Sequence, residues 1–416
     1  MKKQLIATIA AASVLASALA AAPLSVSAAG TNYSTSLTDA SINTTSFTKY
    51  LVMESDANVP NTTFSFTVAP GSPVAASATD GTLAVLAGIG NPVIGSAAFT
   101  AEDTTTLEAG ANEAVVFKTE ATTDEKYAEK TVSIDFSAVP FVEPGVYRYI
   151  ITENVNTSAG ITNDAVTTRT LDVYVEDASD DSGKALKITG YRMYSGTITT
   201  APKADGTQSA VTKSDSFTNS YETHNLTFGK EVTGNQGSKD KYFCFTLSIS
   251  NATPGTVYTV DLSRADGTSG TNDATIEANQ GQTNAPSLTV HDNGSVTKTY
   301  YLQDGQYITI QGLAPGTQYT LGENSEDYTS TTRISASVSS LDWDASVEGN
   351  DALSDPANGA IESADIHTGF TNDRSGTIPT GILMSIAKPA ILGIVILACI
   401  AFLIIRSRKH AAEDEA

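Results

Sequence analysis

The sequence predicts an all-β chain of two tandem β-sandwich domains. Three observations carry this: short segments of alternating polarity, turn clusters rich in Gly, Asp and Asn between them, and one series of motifs that occurs twice in the same order. In Thr131–Phe136 the apolar positions are Val132, Ile134 and Phe136; in Thr170–Glu176 they are Leu171, Val173 and Val175. A period of two marks a strand, because successive side chains point to opposite faces of a sheet.

The repeated series runs as follows. A strand carrying a lysine opens each copy, Phe47-Thr48-Lys49-Tyr50-Leu51 and Phe228-Gly229-Lys230-Glu231-Val232. An aromatic strand comes next, Phe64-Ser65-Phe66-Thr67 or Phe243-Cys244-Phe245-Thr246. A Pro-Gly turn, Pro144-Gly145 or Pro315-Gly316, then leads into a strand that ends in Glu153 or Glu323. Phe217-Thr218-Asn219 and Phe370-Thr371-Asn372 close the copies. Two domains of related design follow, residues 40–222 and 223–373.

Parity says where the polar members point. Glu153 shares a face with Tyr147, Tyr149 and Ile151, and Glu323 with Tyr319 and Leu321. Lys49 falls with Phe47 and Leu51, Lys230 with Phe228 and Val232, Asn219 with Phe217 and Tyr221, and Asn372 with Phe370. Each domain is therefore expected to bury one Lys, one Glu and one Asn. Isolated buried charges cost several kcal/mol, so such groups are paired or neutral. One reading is a buried Lys-Glu ion pair with Asn completing its hydrogen bonds. The sharper reading is chemical: desolvation favours a neutral amine and a neutral carboxylic acid. The amine is then a nucleophile, and the Asn carbonyl becomes an electrophile when the acid hydrogen-bonds to it. Attack with loss of ammonia yields a Lys-Asn amide.

The ends of the chain carry their own signals. Met1-Lys2-Lys3, the Ala/Leu/Ile run from Leu5 to Leu24, and Val26-Ser27-Ala28 read as an export signal peptide spanning residues 1–28. At the other end Ile382–Ile405 is apolar apart from Ser385 and Lys388, long enough for a transmembrane helix across roughly 30 Å of hydrocarbon. Arg406, Arg408 and Lys409 hold its far end in the cytoplasm. Just before the helix stands Thr377-Ile378-Pro379-Thr380-Gly381. Pro379 fixes an extended bend, and Gly381 leaves the Thr380 carbonyl open to attack. Residues 374–416 resemble a cell-wall sorting signal, the substrate of sortases. The resemblance implies cleavage between Thr380 and Gly381 and transfer of the Thr380 acyl group to an amine. The common five-residue signal has one more residue between Pro and Thr, which is missing here.

The buried triads and the strands around them resemble the self-forming isopeptide bonds of Gram-positive surface proteins, and most closely the two-domain streptococcal backbone pilins. The shared segments include Thr-Phe-Ser-Phe-Thr, Gly-Val-Tyr-Arg-Tyr-Ile followed by Glu, Asp-Val-Tyr-Val and both Phe-Thr-Asn endings. The family also shares the shortened sorting motif. The resemblance implies immunoglobulin-like (Cna-B-like) sandwiches in which Lys49 bonds Asn219 with Glu153 as proton shuttle, and Lys230 bonds Asn372 with Glu323. It further implies a pilus-specific sortase joining Thr380 of one subunit to a lysine of an identical neighbour in a cell-surface pilus, with minor pilins, an adhesin and peptidoglycan as further partners. The resemblance places the acceptor in Ala210–Phe217, where Lys213 is the choice; Lys203, upstream of that segment, is the reserve.

Composition narrows the alternatives. A formal charge of −22 argues against nucleic acid and anionic lipid as partners. Of two cysteines, Cys399 lies in the apolar helix and Cys244 between two phenylalanines, so the mature part closes no internal disulfide. Cys244 reads as a packed core residue rather than a nucleophile. His224, His291, His367 and His410 are scattered without metal-ligand spacing, and no nucleophile-elbow motif occurs. Neither an enzyme nor a metal or cofactor is expected. The rival reading is a wall-anchored adhesin that is not polymerised.

Overall fold

The computed structural model describes residues 37–38, 40–107, 125–180, 183–205, 207, 211–264, 284–335, 351–353 and 357–377. The expected signal peptide, Ile378 to Gly381 and the apolar run to Ile405 lie outside the described residues. Every named element is a strand. Among the described residues no helix is long and apolar enough to cross a membrane.

The first thirteen strands are β1 (Thr44–Glu54), β2 (Thr62–Phe64), β3 (Phe66–Pro70), β4 (Val85–Ala87), β5 (Val93–Ile94), β6 (Ala97–Phe99), β7 (Thr105–Leu107), β8 (Glu125–Asp135), β9 (Gly145–Glu153), β10 (Ile161–Thr162), β11 (Thr168–Asp177), β12 (Leu186–Ser195) and β13 (Ser216–Tyr221). One sheet runs β10-β13-β1-β8-β5 with β7 also on β8, and a second runs β12-β11-β9-β3 with β4 on β9. Phe47, Leu51 and Ile134 from the first sheet meet Tyr149, Ile151 and Leu171 from the second in one core. Full burial of such side chains is worth about 1.5–3 kcal/mol each. The aromatic segment expected as one strand is two. At Ser65 the chain switches sheets, so that β2 pairs with β6 while β3 pairs with β9.

Eleven strands follow: β14 (His224–Thr233), β15 (Phe243–Ser250), β16 (Val257–Arg264), β17 (Ser287–Thr289), β18 (Val296–Leu302), β19 (Gln306–Leu313), β20 (Gln318–Asn324), β21 (Thr329–Ser335), β22 (Asp351–Leu353), β23 (Ala357–Ala360) and β24 (Ile366–Asp373). Their sheets run β17-β16-β19-β14-β24-β21-β22 and β18-β15-β20-β23. A separate core between them holds Phe228, Phe245, Ile310, Leu321 and Phe370. Alternation explains Cys244: β15 buries Phe243 and Phe245 and turns Cys244 to the other face, half-buried and free. It is not the core residue that its neighbours suggested.

In each half the first strand pairs with the last, and the pairing is parallel. β1 lies beside β13 and β14 beside β24. Only Glu222 and Thr223 separate β13 from β14. Side chains also bridge the halves: Asn58 Nδ2 donates to Val257 O at 2.9 Å, Asn61 Nδ2 to Pro254 O at 2.9 Å, and Asn225 Nδ2 to Asp56 Oδ2 at 2.8 Å. Gly312 has a φ of +81°, and a Cβ there would stand 3.1 Å from Ala57 Cα. Glycine relieves both constraints at this seam.

Candidate functional site

Each core holds a cluster of polar groups that no solvent reaches. Lys49 and Lys230 are 0% exposed, and Asn219 and Asn372 are 1% and 0% exposed. The Glu153 and Glu323 side chains are buried to the same degree. Lys and Asn come from the parallel first and last strands of one sheet, and Glu comes from the sheet opposite.

The register is the same in both halves. Lys49 stands opposite Phe217, two residues before Asn219, and Lys230 stands opposite Phe370, two residues before Asn372. The amine therefore reaches its asparagine along a diagonal, which a four-carbon stem can span. Glu153 pairs with Phe66, and Glu323 with Phe245, the second aromatic of each Phe-X-Phe segment. The first aromatic lies under the amine: Lys49 Nζ is 4.5 Å from the Phe64 ring centroid and Lys230 Nζ is 4.6 Å from that of Phe243.

In the first cluster Lys49 Nζ is 2.6 Å from Glu153 Oε1 and donates to Asn219 Oδ1 at 2.5 Å. Among the described residues neither oxygen of Glu153 takes a well-directed hydrogen bond. In the second, Lys230 Nζ is 2.7 Å from Glu323 Oε1 and donates to Phe370 O at 3.3 Å. Asn372 Nδ2 donates to Glu323 Oε1 at 3.0 Å. Burial pulls the Lys49 and Lys230 amines down to about 8, against the pull of their glutamates in the other direction. Burial likewise pushes the Glu153 carboxyl up. Both shifts disfavour the charged forms.

Residues 45–222 match the Spy0128-like isopeptide containing domain. Residues 224–374 match a domain of unknown function (DUF7601). A pilin of Streptococcus pyogenes serotype M1 is 27% identical over 273 residues, covering 64% of this chain and 68% of the relative. The crystal structure of the major pilin from S. pyogenes is 20% identical, with a TM-score of 0.48, and covers 80% of this chain and 99% of that one. The T3.2 major pilin of the same species is 18% identical with a TM-score of 0.49, at the same coverage. In sequence the chain is similar to a streptococcal pilin, and its first half matches an isopeptide containing domain.

The first half contains a second buried ion pair that parity did not find. Arg148 lies on the face of β9 opposite Tyr147 and Tyr149, yet it is 1% exposed. Its Nε and Nη2 donate to Asp172 Oδ1 and Oδ2 at 2.7 and 2.8 Å, and Nη1 donates to Ile198 O at 3.2 Å. Two covering segments make the outer face a small core of Val85, Val146 and Ala201. Gly71 and Gly88 both donate backbone N–H groups to Arg148 O at 2.8 Å. Lys213 is exposed and bridges Tyr194, whereas Lys203 is half-buried and bridges Thr82.

Proposed function

We propose that this chain is the repeating shaft subunit of a sortase-assembled pilus, made of two domains, 40–222 and 223–373, each closed by a self-formed Lys-Asn amide. The observation that carries the reading is the doubled meeting of a buried Lys, Glu and Asn in one register, joining first strand to last. An ion pair alone gives no reason for an asparagine two residues beyond the in-register phenylalanine in both cores. The isopeptide-domain match across the first half supports the same chemistry.

In the reaction the lone pair of neutral Lys49 Nζ attacks Asn219 Cγ while protonated Glu153 donates to Oδ1. Glu153 then carries the proton that Nζ releases to Nδ2, the Cγ–Nδ2 bond breaks, ammonia leaves, and the Oδ1 proton returns to Glu153 as the carbonyl of the new amide re-forms. Glu153 ends as it began. Lys230, Asn372 and Glu323 follow the same course. Exclusion of bulk solvent serves twice, favouring the neutral amine and the protonated carboxyl.

A pilus-specific sortase would then cleave after Thr380 and join its acyl group to Lys213 of an identical subunit. The exposure of Lys213, three residues ahead of β13, favours it over half-buried Lys203. Minor pilins, an adhesin and peptidoglycan complete the assembly, and the membrane-tethered precursor becomes part of the extracellular surface. Tension entering at Lys213 would run down β13 and cross the whole second domain, so the Lys230–Asn372 bond bears load while the Lys49–Asn219 bond holds the first domain to the shaft.

Intact mass of the ectodomain, residues 29–380, tests the bonds: a deficit of two ammonia molecules is expected, and the full calculated mass refutes them. Gel analysis of wall extracts tests polymerisation. Boiling-resistant ladders, lost in Lys213→Arg and kept in Lys203→Arg, are expected; a single band points instead to a non-polymerised adhesin.

A further inference from the structure

The two clusters differ in how their asparagine is held. At the first, the loop between β10 and β11 grips both ends of the Asn219 amide. The backbone N–H of Asp164 donates to Oδ1 at 2.9 Å, and Asn163 Oδ1 faces Nδ2 at 3.5 Å. A backbone N–H can only donate, so this contact fixes which end of the amide carries the oxygen.

The loop is fastened to the strand it serves. Asp164 Oδ2 accepts from Thr218 N at 3.0 Å and from Arg169 Nη2 at 2.9 Å, and Oδ1 accepts from Val166 N at 2.8 Å. Arg169 stacks on Phe217 at 4.2 Å and donates through Nε to Ser216 O at 2.8 Å. Asn163 is tied to Asn156, accepting its N–H at 2.9 Å and donating to its carbonyl at 3.0 Å. The second cluster is held otherwise: Asn372 contacts Glu323 through Nδ2, and its Oδ1 has no hydrogen-bond partner among the described residues.

We propose that Asn163 and Asp164 form a positioning element that activates the first cross-link and that, among the described residues, has no counterpart at the second. As Nζ of Lys49 bonds to Cγ, electrons move onto Oδ1, where the Asp164 N–H meets the growing charge. When the Cγ–Nδ2 bond breaks, Nδ2 departs as ammonia with the proton from Nζ, and Asn163 Oδ1 accepts a hydrogen bond from it. The first cross-link therefore forms before the second. This inference rests on the isopeptide reading above.

Cell-free synthesis of residues 29–380, quenched at intervals and mapped by peptide mass, follows both cross-linked peptides in one sample. The Lys49–Asn219 peptide is expected to appear first. Asp164→Pro, which removes the N–H, should slow that link on the order of a hundredfold, the usual effect of removing one oxyanion donor. Asp164→Ala keeps the N–H and should slow it less. The second link should keep its native rate throughout. Native first-link kinetics in Asp164→Pro, or a second link that forms first in the native chain, would overturn the proposal. If limited proteolysis shows that Asp164→Pro has not folded, Asn163→Ala against Asn163→Asp decides. The acceptor role predicts slowing in the first and recovery in the second, and equal slowing of both overturns it. Absence of both cross-linked peptides from the native chain, with the full calculated mass, would sink the isopeptide reading itself rather than this refinement.

Discussion

Lys49 Nζ lies 2.5 Å from Asn219 Oδ1 although the two residues are not in register across β1 and β13. The diagonal reach places the amine against the amide in a site that solvent does not reach, and it joins strands whose sequence positions are 170 apart.

Single glutamate variants should separate the two bonds. Glu153→Ala and Glu323→Ala are each expected to retain one ammonia by intact mass, and the double variant two. By the loop-entropy model, loss of one cross-link of this span lowers stability by about 5 kcal/mol, read as a lower denaturant midpoint for that half.

Bond formation should follow a bell-shaped pH profile. The reactive state holds one proton between amine and carboxyl, so the rate should fall above about pH 8, where Lys49 and Lys230 lose it. It should fall again on the acid side once both groups of the pair are protonated. Time-resolved peptide mapping across pH 5–10 checks this; a rate that climbs steadily to pH 10 refutes the shared proton.

An unreacted cluster should respond to pH in the sense opposite to an ordinary salt bridge. In Asn219→Ala the Lys49 amine, brought from 10.5 to about 8, binds fewer protons folded than unfolded between those values. Stability should therefore rise with pH across that window. Glu153, pushed above 4.5, contributes stability below that pH that is lost as pH rises through its folded value. Urea midpoints of Asn219→Ala against Asn219→Ala with Lys49→Met, taken between pH 8 and 10.5, isolate the lysine contribution.

The outer-face pair should matter to stability without touching the cross-link. Asp172→Ala leaves the Arg148 guanidinium buried without its carboxylate and should cost about 3–5 kcal/mol. Replacing both by apolar residues should cost much less. Equal urea midpoints for Asp172→Ala and the native chain would contradict the buried position of the pair.

The seam between the halves offers another measurement. Gly312→Ala forces a side chain into a left-handed backbone beside Ala57 and should cost about 1–2 kcal/mol. Asn58→Ala removes hydrogen bonds worth about 1 kcal/mol each. Together they should separate the calorimetric transitions of the two halves.

Strand parity sufficed to bring the six triad positions inward, because alternation is a local property and β1, β9 and β13 keep it without a bulge. It was silent on Arg148, whose outward face is covered by segments distant in sequence, Gly71 to Gly88 and the chain around Ile198. Asn163 and Asp164 were equally illegible, since a loop residue's bearing on Asn219 depends on where the loop folds back. For Cys244 the local rule is sufficient: flanking phenylalanines on one face put the thiol on the other. The break at Ser65 follows from a choice of sheet partner, which no run of five residues encodes.

The parallel pairing of first and last strands also bears on survival in a protease-rich setting. With the Lys49–Asn219 and Lys230–Asn372 amides in place, nearly every peptide bond of either half lies inside a closed covalent ring. A single cut within such a ring opens the loop but releases nothing, so a nicked subunit stays one molecule and the chain on either side of it stays joined.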